Sequence, residues 1–380
     1  MKRAVSRIAV LLVMAAALPA ATFDELAARA KTAREAGRYD EAIGAYRQAL
    51  AEKPEWAEGR WFYAVSLYEA KQFEDAAGAF ESVTEVSPQT GAAWILLGLC
   101  QFQLERYKPA LEHLTRGRAL KANDDLLSTA SYYLALLMNH YGEFEAATQL
   151  LLPFALKENA SPTVIEALGL AMLRRTYLPP EIPAAERAKI NAVGQAAFLS
   201  VAKTAGHGMA EMERLVEQYP DDLDIRFAYG SMLVRDEPDR AIEQFRKVLA
   251  GNPDDYLANR MLGTLLSKKR KFDEALQLLG KALELRPHSI AAQYQLAVAT
   301  LATGRIEESR GLLEQIVQQT PEFTAARVTL ATAYYRLGRK EDGDRERAAV
   351  RELNAKSQTE QSGIFGAPAD AENDAPEAKP

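Results

Sequence analysis

Large apolar residues recur at helical spacing along most of the chain, and the pattern itself repeats every 34 residues. Pro253, Pro287 and Pro321 stand 34 residues apart, and Pro54 and Pro88 repeat that interval near the other end. Within each interval, a small residue is followed one helical turn later by a large apolar one. A fixed period of this length indicates stacked pairs of helices, each pair joined by a tight turn.

The repeated small residues predict where the two helices of a pair cross, because a missing side chain lets two backbones approach closely. In the first helix of each pair these residues are Ala64, Gly98, Gly169, Gly263, Ala297 and Ala331. In the second helix they are Ala42, Ala76, Ala110 and Ala275, followed by Tyr46, Phe80, Leu114 and Leu279 in the seam between pairs. Each repeated proline then ends its second helix, because proline has no N–H and restricts the residue before it.

The stretch that begins at Tyr256 carries the pattern most completely. Its repeated residues are Leu262, Gly263, Leu266, Phe272, Ala275, Leu279, Ala282 and Pro287. These residues at this spacing resemble the tetratricopeptide repeat family, and the resemblance covers roughly residues 23–175 and 209–354. It implies an all-α fold, a right-handed α-solenoid of about eight or nine helical hairpins. It also implies a protein that binds partners in a concave groove.

The period breaks once, at the proline-rich stretch from Leu178 to Pro183. The sequence predicts three helices there, over about 163–176, 184–203 and 209–219, where a regular repeat would have two. A turn at Gly206-His207-Gly208 is predicted between the last two. An odd helix disrupts a stack of pairs, so we expect a hinge or a change of direction. The predicted segments are a signal peptide (1–21), an N-terminal array (22–175), an irregular helical insertion (176–209), a C-terminal array (210–354) and a disordered acidic tail (355–380).

The first residues have the pattern of a secretory signal peptide. Lys2, Arg3 and Arg7 precede a short apolar run, and small residues close it at Ala20-Ala21. The run is shorter than the roughly 20 residues that span a bilayer, which favours cleavage over an uncut anchor. The sequence therefore predicts an exported bacterial protein, periplasmic or secreted, with no stable membrane span after cleavage.

Charge and residue usage argue against several classes of chemistry. The formal charge of −6 shows no basic bias, so nucleic acid is not an expected partner. The four histidines have no metal-ligand spacing, and no nucleotide-binding or nucleophile motif occurs. Cys100, the single cysteine, is predicted to be a buried apolar residue. We expect no cofactor, no metal and no enzymatic activity.

The resemblance assigns candidate groove residues, because in this family the first helices line the concave face. The N-terminal candidates are apolar or aromatic apart from one amide and one imidazole, and the C-terminal candidates mix cations with aromatic rings. They are Trp61, Tyr68, Ile95, Phe102, Tyr132, Asn139 and His140, then Phe227, Arg235, Arg260, Lys268, Tyr294, Tyr335 and Arg336. Such rings bind a peptide segment through apolar anchors, or alternatively pack on each other as core.

The leading functional hypothesis is a non-enzymatic scaffold of the bacterial cell envelope that binds a protein or peptide partner in its groove. Two alternatives stay open at this stage. Aromatic rings also stack on sugars, so a cell-wall glycan is a possible ligand. An accessory subunit of an envelope enzyme complex, with its site near residues 176–209, is the other.

Overall fold

The computed structural model describes residues 21–120, 122–156, 161–201 and 205–365. The predicted signal peptide therefore lies, apart from Ala21, outside the described residues, as does the predicted tail beyond residue 365. The described residues form α-helices joined by short turns, together with one turn of 3-10 helix, Pro179–Glu181. Contact between residues divides the chain into two compact units.

Unit 1 contains the residues up to Phe154 together with the short segment Thr176–Glu181. Its helices are α1 (Phe23–Glu35), α2 (Tyr39–Glu52), α3 (Ala57–Glu69), α4 (Phe73–Val86), α5 (Gly91–Gln103), α6 (Tyr107–Ala119), α7 (Asp124–His140) and nearly all of α8 (Phe144–Ala155). Helices α1 and α2, α3 and α4, and α5 and α6 pack as hairpins, and α2, α4 and α6 also contact the helix that follows. Helix α7 is about one turn longer than α3 and α5, with 17 residues against 13.

Unit 2 contains Ala155–Arg175 and the residues from Ile182 onward. Its helices are α9 (Pro162–Met172), α10 (Ala184–Val201), α11 (Ala205–Gln218), α12 (Leu223–Leu233), α13 (Pro238–Gly251), α14 (Tyr256–Lys268), α15 (Phe272–Leu285), α16 (Ile290–Ala302), α17 (Ile306–Gln319), α18 (Thr324–Arg336) and α19 (Lys340–Phe365). From α12 onward each successive pair packs as a hairpin on the next. The predicted fold class, an all-α solenoid of helical hairpins, is confirmed in both units.

Three helices, α9 to α11, stand before the regular hairpins of unit 2. Helix α10 packs against both α9 and α11. Two sequence expectations are wrong here: α9 ends at Met172 rather than near Thr176, and Gly206-His207-Gly208 lies inside α11 rather than in a turn. The reason for the second is a close helix crossing, since a Cβ on Gly208 would lie 2.5 Å from the carbonyl oxygen of Ala196.

The crossing residues are where the sequence placed them. A Cβ on Gly263 would lie 2.8 Å from Cγ of Leu279, and one on Gly98 would lie 2.7 Å from Cγ of Leu114. The alanines at the equivalent positions are buried, and Ser309, which replaces alanine in α17, donates a 2.7 Å hydrogen bond to the carbonyl of Ala297. Small residues at these points therefore set how closely each pair of helices packs.

Candidate partner-binding surface

Aromatic residues lie at the turn of each hairpin in unit 1, where a first helix ends and a second begins. Tyr68 and Phe73 flank the turn between α3 and α4, with ring centroids 5.9 Å apart. Phe102 and Tyr107 flank the turn between α5 and α6 at 5.6 Å. The arrangement is local in origin, because a left-handed residue in each turn reverses the chain and brings the two ring-bearing positions together.

Further ring contacts join the turn between α5 and α6 to α7. Phe102 lies 4.8 Å from Tyr133, and Tyr107 lies 5.2 Å from His140, both edge to face. Tyr133 in turn contacts Tyr132 at 5.3 Å. Each ring is partly exposed. We call this set of side chains the aromatic row: Tyr68, Phe102, Tyr107, Tyr132, Tyr133 and His140.

Two tyrosines of the row, Tyr68 and Tyr107, have raised pKa values. Burial, and to a smaller extent the neighbouring Tyr133, raises the pKa of Tyr68 to about 12. Burial and then the charges of Glu105 and Glu181 raise the pKa of Tyr107. Both hydroxyls are therefore protonated at neutral pH and can donate or accept hydrogen bonds beside an apolar ring.

His140 makes a specific polar contact at one end of the row. Its Nδ1 lies 3.1 Å from the carbonyl oxygen of Thr176. A carbonyl can only accept, so Nδ1 carries the proton in this hydrogen bond. In the neutral ring, Nε2 is then the acceptor.

Three other N-terminal candidates contribute less surface than predicted. Ile95 is fully buried, because it packs against α6, where a Cβ on Gly117 would lie 2.7 Å from its Cγ1. Asn139 is also fully buried. Trp61 is partly exposed but packs edge to face on the core residue Phe80, with ring centroids 5.9 Å apart.

In unit 2, two candidates lie beneath other side chains. Phe227 is 7% exposed, with Phe245 on one side and the guanidinium of Arg174 over its ring at 4.1 Å. Arg260 is 6% exposed. Neither offers a surface of the size that a partner anchor needs.

Four of the remaining candidates of unit 2 contact residues outside the candidate set. Arg235 is exposed and pairs with the adjacent Asp236 at 3.1 Å, and Arg336 donates to the carbonyl of Leu301 at 2.9 Å. Tyr294 packs on Phe323 at 4.9 Å, and Tyr335 donates to Asp344 at 2.7 Å. Lys268 is exposed on the last turn of α14.

The sequence did not reveal a charged network around the turn after α9. Arg174 donates to Asp255 at 2.6 Å and also to Asp224, and Arg175 donates to Asp224 at 2.6 Å and to Glu186 at 3.0 Å. Asp224 and Asp255 lie 49 to 81 residues further along the sequence than the arginines that they bind. No local sequence pattern therefore indicates these contacts. This network explains why Arg174 covers Phe227.

The described residues give no sign of a metal or membrane site. No group of three His, Cys, Asp or Glu side chains among them is arranged to hold a metal ion. None of the described helices combines the length and the apolar character needed to cross a bilayer.

Comparison with protein families gives three matches to repeat models. Two models described as tetratricopeptide repeat match residues 233–290 and 266–322. A third, described as anaphase-promoting complex, cyclosome, subunit 3, matches residues 35–117. These matches fall on the regular hairpins of both units. The chain is a tetratricopeptide repeat protein. The repeat is a non-catalytic protein-interaction module, and this is the coarse function of the chain.

Several solved structures of MamA are similar to parts of this tetratricopeptide repeat protein. MamA MSR-1 C2 is 20% identical, with 44% of this chain and 95% of that chain covered and a TM-score of 0.39. MamA 41-end from Desulfovibrio magneticus RS-1 is 18% identical, with 46% and 97% covered and a TM-score of 0.42. No curated protein sequence matches the chain.

Proposed function

We propose that the chain is a non-enzymatic scaffold of the bacterial cell envelope that holds a peptide segment of a partner protein on the aromatic row. The observation that carries the proposal is the row itself: five of its six rings form a connected chain of ring contacts from the turn between α5 and α6 to α7, and all six rings are partly exposed. Large rings with a polar tip are the side chains that most often anchor a bound protein segment.

Ring geometry favours a peptide over the glycan alternative. The interplanar angles are 75° for Phe102 and Tyr133, 61° for Tyr107 and His140, and 81° for Tyr132 and Tyr133. In such edge-to-face contacts one ring covers the face of its neighbour. Sugar stacking needs an open ring face, whereas peptide side chains can insert between ring edges.

The test is a cross-linking pull-down from native envelopes with the wild-type chain and a Tyr68→Ala/Phe102→Ala double variant. Trp61 is left unchanged, because its contact with Phe80 places it partly in the core. Val86→Ala is the matched control, since Val86 is an apolar residue of unit 1 that is 60% exposed and lies outside the row. We expect a specific protein partner to be lost in the double variant alone.

Circular dichroism of each variant separates loss of binding from loss of fold. Unchanged partners with an intact helical spectrum would contradict binding at the row. Glycan binding is tested in parallel with cell-wall fragments, and capture of glycan without any protein partner would favour the alternative.

The envelope location rests on the basic and apolar pattern of residues 1–21. Thr22 caps α1 directly after the predicted cleavage positions, with its backbone N–H donating to Glu25 at 2.9 Å. Mass spectrometry of the chain recovered from a bacterial periplasm should show an N-terminus at Ala21 or Thr22. Recovery of only the full-length chain in the cytoplasm would contradict export.

A further inference from the structure

Four consecutive cations lie at the turn between α14 and α15, and we call them the basic turn. They are Lys268, Lys269, Arg270 and Lys271. This is the longest run of basic residues in the sequence, and all four residues are exposed. The three residues after Lys268 each donate a backbone N–H to a carbonyl near the end of α14, at 2.9 to 3.0 Å. A hydrogen-bonded backbone therefore presents four positive charges to solvent within one turn.

Most of this charge is not paired within the described residues. Lys269 pairs with Asp239 at 2.5 Å. Among the residues that the structure describes, Lys268, Arg270 and Lys271 form no ion pair and no side-chain hydrogen bond. Like charges this close repel one another, so a ligand that supplies negative charge would relieve an existing repulsion.

Carboxylates on either side of the basic turn are already engaged. On α15, Glu274 pairs with Arg246 at 2.9 Å. Asp273 lies beside it in the first turn of α15, where the helix dipole favours a negative charge. On the preceding hairpin, Asp236 pairs with Arg235 at 3.1 Å. The excess of positive charge therefore lies at the basic turn itself.

The distribution of charge around the basic turn favours a narrow anionic ligand over a broad one. The side chains of Asp236 and Asp239, on the preceding hairpin, are 68% and 78% exposed. A membrane surface or a nucleic-acid duplex would bring phosphates against these carboxylates as well as against the basic turn, which costs electrostatic repulsion. An extended peptide is narrower, and its alternate side chains are about 7 Å apart, so successive acidic side chains can each pair with one long basic side chain.

We propose that the basic turn binds an extended acidic segment of a partner protein. The surface belongs to unit 2 and uses none of the rings of the aromatic row, so the proposal goes beyond the proposed function. Exposed ion pairs are individually weak, so affinity here requires several at once and falls as ionic strength rises. Such a surface also speeds the association of a partner of opposite charge.

The experiment measures peptide binding to the full chain by fluorescence anisotropy. One labelled peptide alternates glutamate with glycine, and the control peptide has glutamine in place of glutamate. We expect the glutamate peptide to bind about tenfold or more tightly than the glutamine peptide at an ionic strength of about 0.01 M. The difference should vanish at about 1 M, where the Debye length is only about 3 Å.

Two double variants test whether the basic turn is the site. Lys268→Gln/Lys271→Gln removes two unpaired charges and should weaken binding of the glutamate peptide by about fivefold or more. Arg305→Gln/Arg339→Gln is the matched control, because it removes two charges from other hairpin turns of unit 2, each already paired with a carboxylate three residues later. We expect less than about a twofold change in this control.

Arg270→Gly keeps the test decisive if the first double variant fails to fold. Arg270 is left-handed, with φ of 61°, a conformation in which glycine is favoured. Glycine should therefore preserve the fold while removing one cation, and we expect affinity for the glutamate peptide to fall by about twofold or more.

Three results would overturn the proposal. They are equal affinity for the two peptides, no binding of the glutamate peptide to the folded wild-type chain, or equal weakening in the two double variants. Sedimentation with phosphatidylglycerol vesicles is the remaining arm of the experiment. Vesicle binding that depends on Lys268 and Lys271, without peptide binding, would assign the basic turn to a membrane surface instead.

Discussion

At the scale of single residues, eight turns among the described residues each contain one left-handed residue, whereas the turn between α12 and α13 contains none. Glycine fills this position at Gly37, Gly142, Gly304 and Gly338, with φ between 70° and 86°. Other residues fill it at Lys71, Glu105, Arg174 and Arg270, with φ between 56° and 61°. A side chain is disfavoured in this conformation, because its Cβ approaches the following carbonyl oxygen.

Gly304→Ala is therefore expected to destabilise the chain by about 1 kcal/mol, measured as the shift of the urea unfolding midpoint. Gly280→Ala is the matched control within unit 2. Gly280 lies inside α15 with open space around its missing Cβ, so alanine should stabilise by about 0.5–1 kcal/mol there. Equal effects at the two sites would contradict the turn conformation.

Cys100 is expected to be chemically inert in the folded chain. It is fully buried, and burial raises the pKa of its thiol to about 12. At pH 8 the reactive thiolate is therefore scarce as well as inaccessible. A disulfide reagent such as DTNB should label the native protein slowly and the guanidinium-unfolded protein completely. Rapid labelling of native protein would contradict the burial.

At the scale of helical elements, one hydrogen bond recurs through both units and was not anticipated from the sequence. In six repeats, the residue six positions after the proline that ends a second helix donates to the carbonyl of that proline. The donors are Arg60, Trp94, Arg226, Asn259, Gln293 and Arg327. Their chemistry differs, but each carries a side-chain N–H, so this bond fixes the start of the next first helix to the end of the previous hairpin.

Asn259→Ala is expected to destabilise unit 2 by about 1 kcal/mol, because it removes the hydrogen bond of a buried side chain to the Pro253 carbonyl. Asn259 is 2% exposed and donates to both Pro253 at 2.8 Å and Asp255 at 2.9 Å. Gln293→Ala removes the same bond at a more exposed position and should cost less. Thermal unfolding of the two variants compares them directly, and a larger loss at Gln293 would contradict this account.

At the scale of the whole molecule, contacts between distant parts of the chain hold unit 2 together at its irregular start. The side chain of Arg174 is 13% exposed and that of Asp255 is 7% exposed, and their ion pair joins the turn after α9 to the N-terminus of α14. Asp255 also caps α14 by accepting from the backbone N–H of Ala258 at 2.9 Å. The turn after α9 and two later first helices are therefore mechanically linked.

Arg174→Ala is expected to destabilise unit 2 by about 3 kcal/mol, because a largely buried carboxylate loses its partner. Arginine and alanine both have a Cβ, so the strain of the left-handed turn is the same in the wild-type chain and in the variant. Arg235→Ala is the control, since the Arg235 ion pair with Asp236 is mostly exposed and should contribute less than about 1 kcal/mol. A double-mutant cycle of Arg174→Ala with Asp224→Ala measures the coupling, and additive effects would contradict a shared network.

The sequence by itself determined the period, the helix-ending prolines and the small residues at the crossings. These features are local, recur in most hairpins and are set by backbone sterics, so one register describes both units.

Only the tertiary structure decided which of those side chains remain available to a partner. The repeat register treats Ile95 and Phe102 alike, yet one is core and the other is partly exposed. Phe227 is covered by Arg174, from another part of the chain, and His140 donates to the carbonyl of Thr176. What covers a helix face depends on residues far away in sequence, and no local periodicity contains that information.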